Sequence, residues 1–437
     1  MLAHYIDLAW RSFKRTPLVS GLMVLAVAVG IGVTMTSLSV YHMMSMDPIP
    51  EKSSQLFQPQ LNTMDDGETW WTEDDLPFQL TYKDAMNLYQ APLDVRKTPM
   101  IRATYSVHMD SPDVTPFLAS ARVTGKDIFA MFNIDFIYGT GWTQQQEQNA
   151  LPVVVLTQEL NDKLFGGENS VGKQVMLDDT QFQVVGVIAP WDLTIKYYDL
   201  NNGAFNDTEN LFIPFSLIPT MEINTSGNTN GWRYEEINSY AEFLQAELFW
   251  VQFWVELNTP EQEKAFRSYL EDYLTEQGSI GRYNRKEIDY ALRNVGEWME
   301  YNNVVSEDNR VLVALSFLFL IVCLANILGL LLGKFLRRAP EVGVRRALGA
   351  NKRHIFTQHL VEVSLLGFFG GALGILIAQL GLWGVRLTFG YYSDIATMDL
   401  SMLLAAPVIA IVSCIIAGLY PAWLVCRTTP AIYLKTQ

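Results

Sequence analysis

Four long runs of mostly apolar residues, each without Asp, Glu, Lys or Arg, dominate the hydrophobic pattern of the chain. They cover Leu18–Met46, Val311–Gly333, Val363–Val385 and Leu400–Cys426. A helix needs about 20 apolar residues to cross the hydrocarbon core of a membrane. The pattern predicts an α-helical membrane protein with four transmembrane helices, at residues 18–46, 310–334, 357–387 and 400–426.

The first run begins close to residue 1, where a secretory signal peptide would also lie. It is too long for the apolar core of a signal peptide, and no A-x-A-like cleavage pattern follows it. We therefore predict that this segment stays in the protein as a membrane anchor.

The segment between the first two runs, residues 47–309, mixes strand and helix patterns. Phe249–Leu257 alternates apolar and polar positions as a strand does, and Val175–Ile188 has two apolar stretches around Asp178 and Asp179, as in a hairpin. Pro260–Gln277 has one apolar stripe at helical spacing after Thr259, a good helix N-cap. At about 260 residues, this segment is predicted to be a large α+β domain with two subdomains.

Charge divides the chain in the same way as hydrophobicity. Residues 47–308 hold 17 basic and 41 acidic residues, a net charge of −24, whereas the remainder holds 14 basic and 5 acidic residues, a net charge of +9. Twelve of these 14 basic residues lie in the segment 1–17, in the loop 335–356 with Lys334 at its edge, and in the tail 427–437; the other two are Arg310 and Arg386, at the opposite ends of the second and third runs. Because cytoplasmic loops are enriched in Lys and Arg, all three segments are predicted to be cytoplasmic, with 47–309 and the loop 388–399 outside.

Four glycines lie close together in the third run: Gly367, Gly370, Gly371 and Gly374. They form two overlapping G-x-x-x-G pairs, a spacing that lets two helix backbones approach closely. We predict a helix-packing role for them and leave the partner helix open.

No residue pattern predicts an active site. Gly167-Glu-Asn-Ser-Val-Gly172-Lys173 resembles a phosphate-binding loop, but Gln174 stands where the magnesium-binding Ser or Thr is required. The five histidines have no metal-site spacing, and all three cysteines, Cys323, Cys414 and Cys426, lie in or next to apolar runs. We expect a non-enzymatic chain with no cofactor, no metal and no nucleic-acid partner.

The basic loop between the second and third runs has a regular spacing of apolar residues, which a loop that only orients the chain in the membrane would not need. Val342, Val344, Ala347 and Leu348 recur among charged residues, and Gly349 can end a helix. The loop is therefore predicted to contain a short amphipathic helix. The alternative, that its arginines serve only to orient the chain, stays open at this point.

This loop resembles the MacB/FtsX-like permease family of ABC transporters. The resemblance rests on Glu341-Val-Gly-Val-Arg-Arg-Ala-Leu-Gly-Ala350, on Gln358-His-Leu-Val-Glu362 and on Gly418-Leu-Tyr-Pro421-Ala-Trp423. Weaker similarities include Leu164-Phe-Gly166, Val171-Gly-Lys173, Phe182-Gln-Val-Val-Gly-Val187, Phe212-Ile-Pro214 and Ala9-Trp-Arg-Ser12. Thr429 before Pro430 departs from the Asp or Asn of the family.

The resemblance implies a permease that works as a homodimer or heterodimer with two cytoplasmic ATP-binding subunits. It implies that the loop helix is the coupling element, with Glu341, Gly343, Arg345, Arg346 and Gly349 as its functional residues. Because Met1–Trp10 leaves no room for an ATPase domain, we expect ATP and magnesium to be bound by a separate subunit. The resemblance also implies a bacterial inner-membrane location, with membrane lipid, a periplasmic adaptor and an outer-membrane channel as further expected partners.

Three functions of such a permease stay open from the sequence. The first is efflux of a periplasmic substrate such as a peptide, driven by motion of the periplasmic domain. The second is release of lipoproteins, as in LolC/LolE-like relatives. The third is FtsX-like regulation of a cell-wall hydrolase, for which a domain of this size is unusually large. Of these, efflux is our leading hypothesis.

Overall fold

The computed structural model describes residues 2–72, 75–109, 115–191, 193–388 and 398–427. The described residues form two compact units, one of residues 1–46 with 305–437 and one of residues 47–304. The helices in chain order are α1 (Leu2–Arg15), α2 (Pro17–Met44), α3 (Tyr82–Gln90), α4 (Ile128–Met131), α5 (Gln144–Gln148), α6 (Gln158–Phe165), α7 (Ile218–Met221), α8 (Tyr240–Gln245), α9 (Pro260–Ser279), α10 (Val295–Tyr301), α11 (Glu307–Arg337), α12 (Ala339–Ala347), α13 (Lys352–Thr388) and α14 (Leu400–Arg427).

The strands all belong to the second unit. They are β1 (Leu56–Leu61), β2 (Leu80–Thr81), β3 (Arg96–His108), β4 (Phe117–Thr124), β5 (Phe136–Gly139), β6 (Val153–Thr157), β7 (Gln174–Leu177), β8 (Thr180–Ile188), β9 (Leu211–Pro214), β10 (Asn230–Gly231), β11 (Leu248–Glu256) and β12 (Tyr290–Asn294).

Four helices of the first unit, α2, α11, α13 and α14, are long and apolar enough to cross a membrane. Two of them extend beyond the predicted spans, since α11 begins at Glu307 and α13 at Lys352. Prediction from uncharged runs finds only the apolar part of a helix, whereas polar end turns remain helical beyond the hydrocarbon core. Residues 428–437 of the predicted tail and residues 389–397 of the loop 388–399 lie outside the described residues.

The membrane unit is organised around α13, which packs against α2 on one side and α14 on another. Helix α11 packs against α2 and α14. Pro407 and Pro421 lie inside α14 without ending it. Neighbouring helices can compensate for the missing backbone donor, and prolines are therefore tolerated in membrane helices.

The domain unit is built on a mixed sheet in the order β12-β1-β11-β3-β4-β9-β6-β8-β5, with β2 and β10 on β11 and with β7 between β3 and β8. The β4–β9 and β6–β8 pairs are parallel. Strands β3 to β9 are contiguous in sequence and form one half of the sheet, while β1, β2 and β10 to β12 form the other half. The predicted α+β class is confirmed, and the β3–β11 pair joins the two halves.

Hydrophobic cores cover both faces of this sheet. In β11, Val251, Phe253 and Val255 belong to one core, whereas Trp254 belongs to the other. The alternation predicted one buried face for β11, but a central strand with packing on both sides buries nearly every residue. Helix α9 contributes Phe266 and Leu270 to the first core, and Thr259 caps it as predicted by accepting a hydrogen bond from the Gln262 amide.

Candidate functional site

Helix α12 lies in the basic loop between two membrane helices, and its sequence suits a short helix. Pro340 is in the first turn, where its missing amide hydrogen costs nothing, and Glu341 follows near the positive end of the helix dipole. Arg345 and Arg346 lie in the last turn, near the negative end. Gly349 has a φ of +97°, a left-handed conformation that ends the segment with little strain.

The two faces of α12 differ in burial. Ala339, Val342 and Gly343 are buried within the membrane unit. Val344 and Leu348 point the other way, with 49% and 83% of their surface exposed. Since positions four apart share a helix face, these two residues form a small exposed apolar surface beside Ala347.

The charged residues of α12 have different partners. Arg345 Nη2 lies 2.7 Å from Glu341 Oε1, and nearly half of each side chain is exposed. Arg15 Nη1 approaches the other Glu341 oxygen at 3.9 Å. Arg346 Nη1 instead donates to the Cys426 carbonyl oxygen at 3.2 Å, which ties α12 to the end of α14. Glu341 and Arg345 are thus available to a partner, while Arg346 contacts its own chain.

A buried ionic cluster that the sequence pattern did not predict lies near α12. Glu362 on α13 and Lys334 on α11 are at most 2% exposed, with Nζ and Oε1 2.7 Å apart. The Ser12 hydroxyl donates to Glu362, and His359 Nδ1 is 3.8 Å from the carboxylate. Two features of the sequence could have indicated this cluster. Glu362 is the last residue of the Gln358–Glu362 motif, and Glu362 and Lys334 are the charged residues at the ends of two uncharged runs.

The four predicted packing glycines face two different helices. A methyl group at Gly367 would lie 2.7 Å from the Ile411 Cα on α14, and one at Gly371 would lie 3.0 Å from the Pro407 Cα. A methyl group at Gly370 would overlap Val27 on α2, and one at Gly374 would lie 2.9 Å from Ile31 Cγ2. Each G-x-x-x-G pair therefore serves one neighbour, which lets α13 pack closely on both sides.

The phosphate-loop-like segment of the domain is a set of turns. Gly166 ends α6 in the left-handed conformation, and Gly167 and Gly172 also have positive φ angles. Lys173 Nζ lies 3.5 Å from Glu168, with both side chains partly exposed. Within the described residues, no group of three or more His, Cys, Asp or Glu side chains is arranged to hold a metal ion.

A second buried ionic cluster lies inside the domain. Arg122 is fully buried, and its Nη2 contacts Asp199 Oδ2 at 2.6 Å and the Glu209 carboxylate. Lys196 Nζ also contacts Glu209, at 2.5 Å. Burial alone would raise the pKa of Glu209, but the two cations lower this pKa to about 2. The cluster holds the segment of residues 196–209 against β4.

Comparison with known proteins adds family information to this geometry. The family model of the MacB-like periplasmic core domain matches residues 20–273, and that of the FtsX-like permease C-terminal region matches residues 313–430. The periplasmic region of MacB from Actinobacillus actinomycetemcomitans has a similar structure, with 16% identity, a TM-score of 0.35 and coverage of 57% of this chain and 93% of that one.

Two relatives are similar over most of this chain. Macrolide export ATP-binding/permease protein MacB of Syntrophobacter fumaroxidans is 25% identical over 376 residues, covering 80% of this chain and 51% of the relative. Pyoverdine export ATP-binding/permease protein PvdT of Pseudomonas entomophila is 26% identical over 310 residues, covering 70% and 41%. The chain spans about half the length of these relatives or less. Because the core-domain model alone matches more than half of the chain, the protein belongs to the MacB/FtsX-like family of ABC transporter permeases.

Proposed function

We propose that the chain is a permease subunit that couples ATP hydrolysis by a separate cytoplasmic ATPase to motion of its periplasmic domain. The ATPase binds ATP and magnesium, and the permease pairs with a second permease chain in the bacterial inner membrane. The transported substrate is a periplasmic molecule such as a peptide. The observation that carries this proposal is the division of α12 into a buried face and an exposed face.

The exposed face of α12 has the chemistry of a docking surface. Leu348 and Val344 offer apolar area, and the Glu341–Arg345 pair beside them offers both signs of charge. An apolar centre with polar groups around it is typical of protein interfaces. The buried face, through Val342, contacts the hydrophobic core of the membrane unit. A force on the exposed face would therefore reach the membrane helices.

Export is favoured over the other two functions by the names of the relatives. MacB and PvdT are named as exporters of macrolides and pyoverdine, respectively. These two substrates differ chemically, so the names support export as a process but do not indicate a substrate class. The charge of the domain is the feature that bears on the substrate class. A net charge of −24 over residues 47–308 would attract cationic substrates through long-range electrostatics.

The test uses two exposed leucines of similar accessibility. Leu348→Asp alters the residue that directly follows α12, and Leu118→Asp alters the domain. Leu118 is 75% exposed, and Leu348 is 83% exposed. The tagged full chain is purified from its native membranes in mild detergent, and ATP hydrolysis by the copurifying ABC ATPase is measured. Loss of an interface anchor typically costs more than about 2 kcal/mol, so Leu348→Asp should reduce recovered ATPase at least about tenfold.

The control and the contrary results are distinct. Leu118→Asp should recover as much ATPase as the wild-type chain. Equal recovery with Leu348→Asp would remove α12 as the docking element. Purified wild-type chain that hydrolyses ATP without any second subunit would contradict the proposed division of labour.

A further inference from the structure

The carboxylate of Glu362 is contacted from α1, from α11 and from the joint between α11 and α12. Lys334 of α11 lies 2.7 Å away and also donates to Ser20 Oγ of α2 at 3.1 Å. Ser12 of α1 donates to the carboxylate from a site that is 4% exposed. Arg338 Nη1 is 4.0 Å from the second carboxylate oxygen. Glu362, on α13, therefore links α1 and α11 directly and α2 through Lys334.

Arg338 occupies the joint between the second membrane helix and α12. It follows the last residue of α11 and precedes the first residue of α12, with φ of −95° and ψ of 0°. Its Nη1 donates to Ser12 Oγ at 2.6 Å, and its Nη2 lies 3.4 Å from the Ser12 carbonyl oxygen. The residue directly before α12 is thus fastened to α1 and to Glu362.

Ser12 satisfies both neighbours at once. A hydroxyl group has one proton to donate and two lone pairs to accept with. The Ser12 proton goes to Glu362, and a lone pair accepts from Arg338. This arrangement fixes the Ser12 rotamer. It also links the Glu362 carboxylate to the Arg338 guanidinium, so that a displacement of one group displaces the other.

Stability alone is a weak reason for this composition. Burying charges costs desolvation energy, and well-packed apolar residues often replace a buried ion pair without loss of stability. The directional contacts of an ion pair do, however, specify one geometry. A buried carboxylate that faces Lys334, Arg338 and His359 can therefore hold the joint between α11 and α12 in one geometry when α12 is displaced.

We propose that Glu362 and Arg338 are positioning residues that clamp the coupling helix α12 to α1 and α13. The proposal rests on the proposed function for the role of α12, and it adds the connection by which displacement of α12 reaches α13. From α13, the close glycine contacts with α2 and α14 pass the displacement on to the rest of the membrane unit. The clamp acts through the position that it gives to α12.

The first test needs only the permease. Arg338→Met removes the link to α12 but leaves Glu362 paired with Lys334, so that the buried pair keeps its partner. Arg337→Met is the matched control, because Arg337 is the exposed neighbour and its loss changes the cytoplasmic charge equally. Hydrogen–deuterium exchange is measured on the full chain in lipid nanodiscs. Loss of a charged hydrogen bond should speed exchange in residues 339–350 about tenfold for Arg338→Met.

The control variant should exchange like the wild-type chain in residues 339–350. Wild-type exchange rates in Arg338→Met would overturn the clamp, whatever the ATPase result. Equal acceleration in both variants would also overturn it, because charge and not the contact would then be responsible. Arg338→Lys keeps the charge but offers one donor nitrogen in place of Nη1 and Nη2, so it should recover part of the protection.

The second test separates the clamp from docking. In the complex with the copurified ATPase, Arg338→Met should keep the ATPase bound but lower permease-dependent stimulation of ATP hydrolysis about tenfold. Normal stimulation in a variant with accelerated α12 exchange would overturn the role in coupling. If wild-type chain recovers no ATPase, the proposed function fails, while the exchange result still decides whether the clamp exists.

Discussion

Gly374 on α13 lies so close to Ile31 on α2 that a methyl group at position 374 would be 2.9 Å from Ile31 Cγ2 and 3.2 Å from the Ala28 carbonyl oxygen. The backbone oxygen cannot move aside as a side chain can. Gly370, one turn earlier, faces Val27 on the same helix. The contact between α13 and α2 therefore depends on glycine in a way that helix propensity does not explain.

We expect Gly374→Ala to lower the stability of the membrane unit. Overpacking of a close contact typically costs about 1–3 kcal/mol. Gly384→Ala on the same helix is the matched control. Among the described residues, apart from the chain neighbours of Gly384 and the nearby backbone of its own helix, no heavy atom would lie within 4 Å of the added methyl group. Thermal unfolding of the full chain in detergent should show a lower midpoint for Gly374→Ala. Equal midpoints for the two variants would contradict close α13–α2 packing.

The glycine pairs also show what sequence periodicity can and cannot predict. Their spacing identified Gly367, Gly370, Gly371 and Gly374 as packing residues, because G-x-x-x-G places small residues on one helix face. It could not assign them to α2 or α14. That assignment depends on how α13 is rotated between its neighbours, and the rotation is a property of the assembled helices.

Glu362 illustrates a different limit. Its partners Lys334 and Ser12 are 28 and 350 residues away in sequence, so no local periodicity connects them. The four membrane helices and α9, in contrast, follow from patterns within a single element. Elements such as α9 could therefore be predicted from the sequence, whereas the ionic cluster that joins α1, α11 and α13 could not.

The Lys334–Glu362 pair is expected to behave as a coupled unit. Lys334→Met leaves Glu362 buried with a reduced set of cations, and loss of one partner of a buried pair typically costs about 3–5 kcal/mol. In the double variant Lys334→Met/Glu362→Gln, the uncompensated charge is removed. Its loss of stability should be clearly smaller than the sum of the two single losses. Thermal unfolding of all four proteins tests this, and additive losses would show that the pair is not coupled.

Stability of the domain should depend on pH through Glu209. Arg122 and Lys196 overcome the effect of burial and lower the pKa of Glu209 from 4.5 to about 2. A carboxyl group with a lowered pKa in the folded protein stabilises it fully above the unfolded pKa. That stabilisation is lost as the pH falls from about 4.5 towards 2.

The test compares how steeply the thermal midpoint falls with decreasing pH in the wild-type chain and in two variants. The thermal midpoint of the domain, followed by near-ultraviolet circular dichroism of the full chain, should fall steeply below about pH 4.5. Glu209→Gln should lower the midpoint at neutral pH and flatten this acid slope. Glu168→Gln, at a glutamate whose side chain is 79% exposed, should keep the wild-type slope. An unchanged slope in Glu209→Gln would show that other carboxyl groups dominate acid unfolding.

The orientation of the membrane unit can be tested with single cysteines. Asp179 is an exposed turn residue of the domain, and Thr357 is exposed near the start of α13. With both termini cytoplasmic, a membrane-impermeant maleimide should label Asp179→Cys but not Thr357→Cys in intact cells with a permeabilised outer membrane. The wild-type chain is the control, because its three cysteines are buried. Labelling of Thr357→Cys before cell lysis would contradict the orientation.

The last prediction concerns Glu341 and Arg345, whose side chains pair across one turn of α12 at 2.7 Å. Both are nearly half exposed, and such i,i+4 pairs contribute only about 0.3–0.5 kcal/mol to a helix. Arg345→Glu should therefore leave folding and membrane orientation intact. If Arg345 meets an acidic residue of the ATPase, its reversal should cost about 2–5 kcal/mol at that interface and abolish most ATPase stimulation.

A charge swap distinguishes the two roles of this pair. Glu341→Arg/Arg345→Glu restores an ion pair within α12 but presents the opposite charges to a partner. If the pair serves only the helix, the swap should recover the stimulation that Arg345→Glu loses. If the pair docks on the ATPase, the swap should remain as defective as the single reversal, because each charge then faces a like charge. Stimulation in the reconstituted complex, measured beside a topology reporter, decides between them, and rescue by the swap would leave Val344 and Leu348 as the residues on which docking depends.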